Sequence, residues 1–141
     1  MSFKMEITKS HRAYFKAAKA VADMSDFHKV KIGCVAVYSH RIISSGTNST
    51  KTNPLQKKYN IHRFSVDSGH TLHAETQCLL PLISRKDIDF SRVSLYIYRS
   101  HKDGTLALSK PCPSCMALIK ELGIKRVYYT GNGSYISENF I

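Results

Sequence analysis

The sequence predicts a layered α/β domain, a central sheet of five strands covered by helices. Three observations carry this. Apolar residues recur at helical spacing in three segments, and short runs rich in β-branched and aromatic residues lie between them. The order is α-β-β-α-β-α-β-β. Capping and turn residues fall at the joints. At 141 residues the chain is long enough to bury a core, and a single domain over 1–141 is expected.

The first helix is predicted over 8–24, with Tyr14, Ala17, Ala18 and Val21 on one face and Thr8 or Ser10 as its cap. "KIGCVAVY" (31–38) and "RIISSGTN" (41–48) read as strands, joined so closely that they form an antiparallel hairpin. Residues 49–70 are a long basic loop, a length that usually serves function or motion. A second helix is expected over 72–84, with Thr71 as N-cap and a kink or early end at Pro81, which lacks the N–H the ladder needs. "RVSLYIY" (92–98) is the third strand, and "HKDG" (101–104) is a turn in the excursion that leads to Pro111. Pro113 suits the first position of a third helix, 113–123, and Gly123 suits its stop. "IKRVYYT" (124–130) and "YISENFI" (135–141) are strands joined by the turn "GNGS".

No apolar run approaches membrane-spanning length, and "MSFKMEITKSHRAYFKAA" lacks the apolar centre of a secretion signal. A cytoplasmic location with no membrane partner is expected. The net charge of +11 favours anionic partners: nucleotides, nucleic acid or phosphate-rich surfaces.

Four cysteines occur. Cys34 and Cys78 sit in apolar runs and read as small buried hydrophobes. Cys112 and Cys115 form a C-x-x-C at the start of the third helix, where backbone N–H groups and the helix dipole favour thiolates. Two thiolates at this spacing can share one zinc ion, which needs at least one further ligand. His73 heads the second helix. If the two helix starts converge, one imidazole and two thiolates leave a fourth position for water, the arrangement of a catalytic zinc. Glu75 is too near His73 in sequence to be its helix-face neighbour but can reach that water and move its proton. Two other readings fit the same residues. The cysteines could be a redox pair, or a structural zinc could take His70, His101 or Cys78 as a fourth ligand.

"HAE" (73–75) followed by "PCPSC" (111–115) resembles the H-x-E…P-C-x-x-C signature of zinc nucleobase deaminases. Over about residues 8–137 the element order is similar to that of the cytidine and deoxycytidylate deaminase superfamily. The resemblance implies a three-layer α-β-α cytidine-deaminase-like fold with a mixed five-stranded sheet. It implies that His73, Cys112 and Cys115 bind zinc and that Glu75 is the proton shuttle. Water on zinc would then attack C4 of cytosine or C6 of adenine, and ammonia would leave. The backbone of Ala74 would line the base pocket. Asn48, in "SGTNS", would contact sugar or base, although turn composition alone also accounts for it. Relatives assemble as oligomers, so a homo-oligomer is expected.

The chain departs from the pattern in the excursion "SHKDGTLALS", in its long basic loop, and in the hairpin "YYTGNGSYIS". That hairpin is similar to free-cytidine deaminases, whereas the "HAE" form is similar to deoxycytidylate and tRNA-adenosine deaminases. Three functions therefore compete. The first is deamination of a cytosine nucleoside or nucleotide, including deoxycytidylate, with Lys51, Lys57, Lys58, Arg63 or Lys110 near any phosphate. The second is deamination of a base within single-stranded DNA or RNA, with Tyr59, Phe64 and Tyr98 as stacking platforms. The third is a non-catalytic zinc-stabilised binding domain, which has no use for Glu75.

Overall fold

The computed structural model describes residues 2–26, 30–50, 58 and 73–140. Most of the basic loop 49–70 lies outside the described residues, and with it Lys51, Lys57, Arg63, Tyr59, Phe64, His70 and Thr71.

The described elements run β1 (Ser2–Lys4), α1 (Lys9–Ala22), β2 (Ile32–Tyr38), β3 (Arg41–Thr47), α2 (Ala74–Leu79), β4 (Ser94–Arg99), α3 (Pro113–Leu122), β5 (Arg126–Thr130) and β6 (Tyr135–Asn139). The sheet order is β1-β6-β5-β4-β2-β3. Only the central pair β4 and β5 is parallel, so the sheet is mixed. It has six strands rather than the expected five. The extra one, β1, is a three-residue exposed edge strand whose pairing with β6 sets Phe3 opposite Ser137. So short a segment carries no periodicity to read.

Side chains alternate across the sheet and build two cores. Cys34, Ala36, Leu95, Ile97 and Val127 pack against Cys78 and Leu79 of α2 and Leu118 and Ile119 of α3. Val35, Val37, Tyr96 and Tyr98 pack against Phe15, Ala18 and Ala22 of α1. The α1 stripe is thus centred on Phe15, Ala18 and Ala22, while the expected Tyr14, Ala17 and Val21 flank it half-buried. Of the two expected caps it is Thr8 that serves, accepting from the His11 N–H at 3.2 Å. Tyr98 is buried beneath α1 and offers no face to a base.

The second helix is shorter than expected. Its N-cap position is His73, not Thr71, and α2 ends at Leu79, giving way to a single 3-10 turn over Leu80–Leu82 that contains Pro81. Proline therefore ends the helix rather than kinking it. The third helix keeps its predicted ends: Pro113 is first, and Gly123 closes it at φ 90°, the left-handed conformation that favours glycine.

α2 sits directly on the backbone of β3. A Cβ at Gly46 would lie 2.5 Å from the Ala74 carbonyl oxygen and closer still to the Cys78 nitrogen. The Thr47 N–H donates to Gln77 Oε1 at 2.7 Å and the Ser44 hydroxyl to the Cys78 carbonyl at 2.6 Å. Gly46→Ala is expected to lose at least about 2 kcal/mol by forcing backbone apart. Denaturant melts would read this as a lower midpoint, with zinc content falling too, because α2 carries His73.

Candidate metal centre

Two chain segments deliver the site. His73 arrives at the start of α2, whose position is fixed on Gly46. Cys112 is the N-cap of α3, in extended backbone at φ −68° and ψ 166°, and Cys115 lies in the first turn. The approach to Cys112 is tied down at the end of β5. The Ser109 N–H donates to the Thr130 carbonyl at 2.8 Å, the Thr130 N–H donates to Ser109 Oγ at 2.9 Å, and the Thr130 hydroxyl donates to the Ala107 carbonyl at 2.6 Å. Both side chains are buried, so each unmade bond would carry a desolvation penalty.

His73 Nδ1 lies 3.3 Å from Cys115 Sγ and 3.4 Å from Cys112 Sγ. The three ligand atoms all fall within 4.8 Å of one another. A tetrahedral zinc with ordinary Zn–N and Zn–S bonds would place nitrogen and sulfur about 3.6 Å apart. The donor set and its spacing therefore fit zinc. Among the described residues no fourth ligand joins the cluster: neither Cys78 nor His101 does. Cys78 is instead wholly buried beside Cys34, as a core residue.

The electrostatics divide the two sulfurs. The hydrogen bond from Cys115 first, and then those from His73 and Ser114, pull the Cys112 thiol down to about 3, against the cost of burial. The Ser114 hydroxyl is 3.0 Å from Cys112 Sγ. The same pairing with Cys112 pushes the Cys115 thiol up, and burial and the nearby Glu75 carboxyl add to this. Thr76 Oγ1 stands 3.9 Å from Cys115 Sγ. Neither Ser114 nor Thr76 was legible as a site residue, since a hydroxyl beside a sulfur leaves no signature in spacing.

Glu75 is only 5% exposed. Burial pushes its carboxyl up, the His73 charge opposes this, and the Cys112 thiolate reinforces it. It therefore lies within electrostatic reach of the cluster. Ala74, between His73 and Glu75, is buried as the first residue of α2, where its N–H has no intrahelical acceptor.

Asn48 follows β3 and is committed to the protein. Its Oδ1 accepts from the Ile32 N–H at 3.0 Å and the Ser25 hydroxyl at 2.7 Å, and its Nδ2 donates to the Val30 carbonyl at 2.7 Å. Among the named cations, Lys110 is paired with Glu138 at 3.8 Å. No described helix is long and apolar enough to cross a membrane.

Comparison with known proteins agrees with this geometry. A family model for the cytidine and deoxycytidylate deaminase zinc-binding region matches residues 8–131. The fold is similar to a dCMP deaminase from the cyanophage S-TIM5, with a TM-score of 0.61 and 25% identity over 89% of this chain and 84% of that one. It is similar to a cytidine deaminase from Burkholderia pseudomallei at a TM-score of 0.63 and 20% identity, covering 94% and 93% of the two chains. A cytidine deaminase from Mycobacterium tuberculosis matches at 0.54 and 18%, covering 86% and 88%. A search of curated proteins gave no match. Since the zinc-binding region spans most of its length, the chain belongs to the cytidine and deoxycytidylate deaminase family and is a zinc-dependent hydrolase of that family.

Proposed function

We propose that this protein hydrolyses the exocyclic amine of a cytosine nucleoside or nucleotide, releasing ammonia and leaving the uracil product. The observation that carries the reading is the convergence of His73 Nδ1, Cys112 Sγ and Cys115 Sγ beside a buried carboxyl at Glu75. His73, Cys112 and Cys115 would hold a zinc ion, which would supply Lewis acidity and bring the pKa of a bound water toward neutrality. Glu75 would take one proton from the attacking water and give it to the ring nitrogen N3 as the C–O bond forms at C4 and the C4=N3 double bond becomes single. It would then carry the second proton of that oxygen to the amine, so that the C–N bond breaks, ammonia leaves and the C4 carbonyl forms. A carboxyl raised by burial is suited to both accepting and returning that proton.

Ala74 lines the base pocket with its backbone, and its uncommitted N–H is a donor for the base. Asn48 acts by positioning: it clamps the start of β2 to the end of β3, and the Nδ2 hydrogen left over from Val30 is its means of reaching a sugar. Binding of dCMP and dUMP by the cyanophage relative supports a nucleotide for this chain as well.

The charge of +11 favours single-stranded nucleic acid as the second reading. A panel of cytidine, deoxycytidine, CMP, dCMP and a cytosine-containing oligonucleotide, assayed for ammonia, separates the two. Turnover of a monomer is expected. Turnover of the oligonucleotide alone would overturn the first reading. Light scattering on the same preparation tests the homo-oligomer.

A further inference from the structure

A cavity of about 480 Å³ lies on the α1 side of the sheet, away from the metal centre. The two are separated by the sheet itself. Ala74 and Cys78 of α2 and Leu118 and Ile119 of α3, the two helices at whose starts the metal ligands sit, pack on one face, whereas Tyr96 and Val37, which line this cavity, belong to the other. They also sit at opposite ends of the strands. The cavity is bounded by Ser94 and Arg126, the first residues of β4 and β5, while the segment that leads to Cys112 is tied to the later half of β4 by the Ser109 hydroxyl, which donates to the Ile97 carbonyl.

The charged and titratable lining is one-sided. Arg92, Arg126, His11 and His40 face the cavity with tyrosines and serines, and among the described residues no carboxylate lines it. Neither guanidinium has an acidic partner within salt-bridge distance among the described residues. The closest carboxyl in sequence, Asp89, is bonded to the Ser91 N–H and hydroxyl and feels Arg92 only as a nearby charge, without a salt bridge. The first turn of α1, which contributes His11, holds no acidic residue to offset its positive dipole end. Two arginines outside any salt bridge at one cavity suit a phosphate, which the guanidinium fork matches.

The walls are rigid and aromatic. Tyr96 and Tyr128 stack at 4.6 Å and 19°, His11 lies 5.1 Å from Tyr128, and Tyr14 lies 5.1 Å from Tyr96. The rim is a strained turn. Ser39 and His40, the two residues between β2 and β3, have φ of 51° and 63°, a conformation that hairpins ordinarily give to Asn-Gly. The Tyr14 hydroxyl donates to the His40 carbonyl at 3.1 Å and holds that turn against α1. Strain kept at the rim of a cavity, where glycine would relieve it, points to a use for the side chains.

We propose that this cavity is a second ligand site, which binds a phosphorylated small molecule with a flat ring, of mononucleotide size. Arg92 and Arg126 hold the phosphate, the half-buried rings of His11, Tyr14 and Tyr128 hold the flat ring while buried Tyr96 backs them, and the volume lies in the range of small-molecule pockets. The site is independent of the reaction at the metal centre.

The test is calorimetric titration of the zinc-loaded full chain with AMP and with inorganic phosphate. AMP is expected to bind, with phosphate a weaker competitor, and added salt should weaken both. The double variant Arg92→Ala/Arg126→Ala, which changes two exposed side chains, should bind AMP at least tenfold more weakly, with zinc content and deamination rate unchanged. A second variant, Ser39→Asn/His40→Gly, should melt at a higher temperature and yet bind AMP more weakly. Equal AMP binding by wild type and either variant would overturn the proposal, as would no AMP binding by wild type. Binding of a single-stranded oligonucleotide through the two arginines, with none of AMP, would replace it with a polymer surface.

Discussion

Glu75→Gln is expected to reduce deamination by about a thousandfold or more while zinc stays bound, since removing a positioned general acid–base group costs about 10² to 10⁴ in rate. The substitution is nearly isosteric, and Glu75 lies outside the His73, Cys112 and Cys115 cluster. Its buried environment already favours the uncharged carboxyl, so a neutral amide is tolerated there. Stability should therefore change little. Elemental analysis beside an ammonia assay makes the comparison. Full turnover with zinc retained would remove Glu75 from the proton path, whereas zinc binding by the wild type with no turnover of any substrate would leave the zinc-stabilised binding domain as the better reading.

Cys112→Ser should lose both zinc and turnover. The Cys112 sulfur is the one held as a thiolate, pulled down to about 3 chiefly by the Cys115 hydrogen bond. A serine hydroxyl stays protonated in the same place and is a poor zinc ligand. Zinc per chain should fall well below one, and the melting temperature should fall with it, because metal binding contributes to folding. Cys78→Ala provides the contrast. It removes a buried sulfur that takes no part in the cluster, so it should cost stability and leave zinc content unchanged. The raised Cys115 thiol adds a pH dependence. Its proton must leave when zinc binds, so zinc affinity rises with pH and falls on acidification.

Both predictions rest on residues that were visible in the sequence. Ligand chemistry is written in short spacings: "HAE" and "PCPSC" each place their side chains within one helix start, where local geometry decides the outcome. The caps Thr8, Pro113 and Gly123 are local in the same sense, and so is the hairpin of β2 and β3.

What was not visible depends on partners distant in sequence. α2 begins at Ala74 rather than nearer Thr71, and Gly46 on β3 is what α2 rests upon. The Ser109–Thr130 tie that delivers Cys112 joins residues with no pattern in common. Asn48 carries a family-like position, yet its amide is bonded to Ser25, Val30 and Ile32, which only folding brings near. β1 exists because β6 offers it an edge. The cavity with Arg92 and Arg126 is assembled from α1, three strands, the β2–β3 turn and the 3-10 turn Phe90–Arg92.

The sequence by itself determined the order of elements, the ends of the longer helices and the set of donors that fit a zinc ion, because periodicity, capping and ligand spacing act over a few residues. Tertiary structure alone decided that His73 stands 3.3 to 3.4 Å from two sulfurs about forty residues away, and that a basic cavity opens on the opposite face. Those arrangements follow from sheet pairing and from close packing of backbone on backbone, which depend on contacts between residues far apart in the chain.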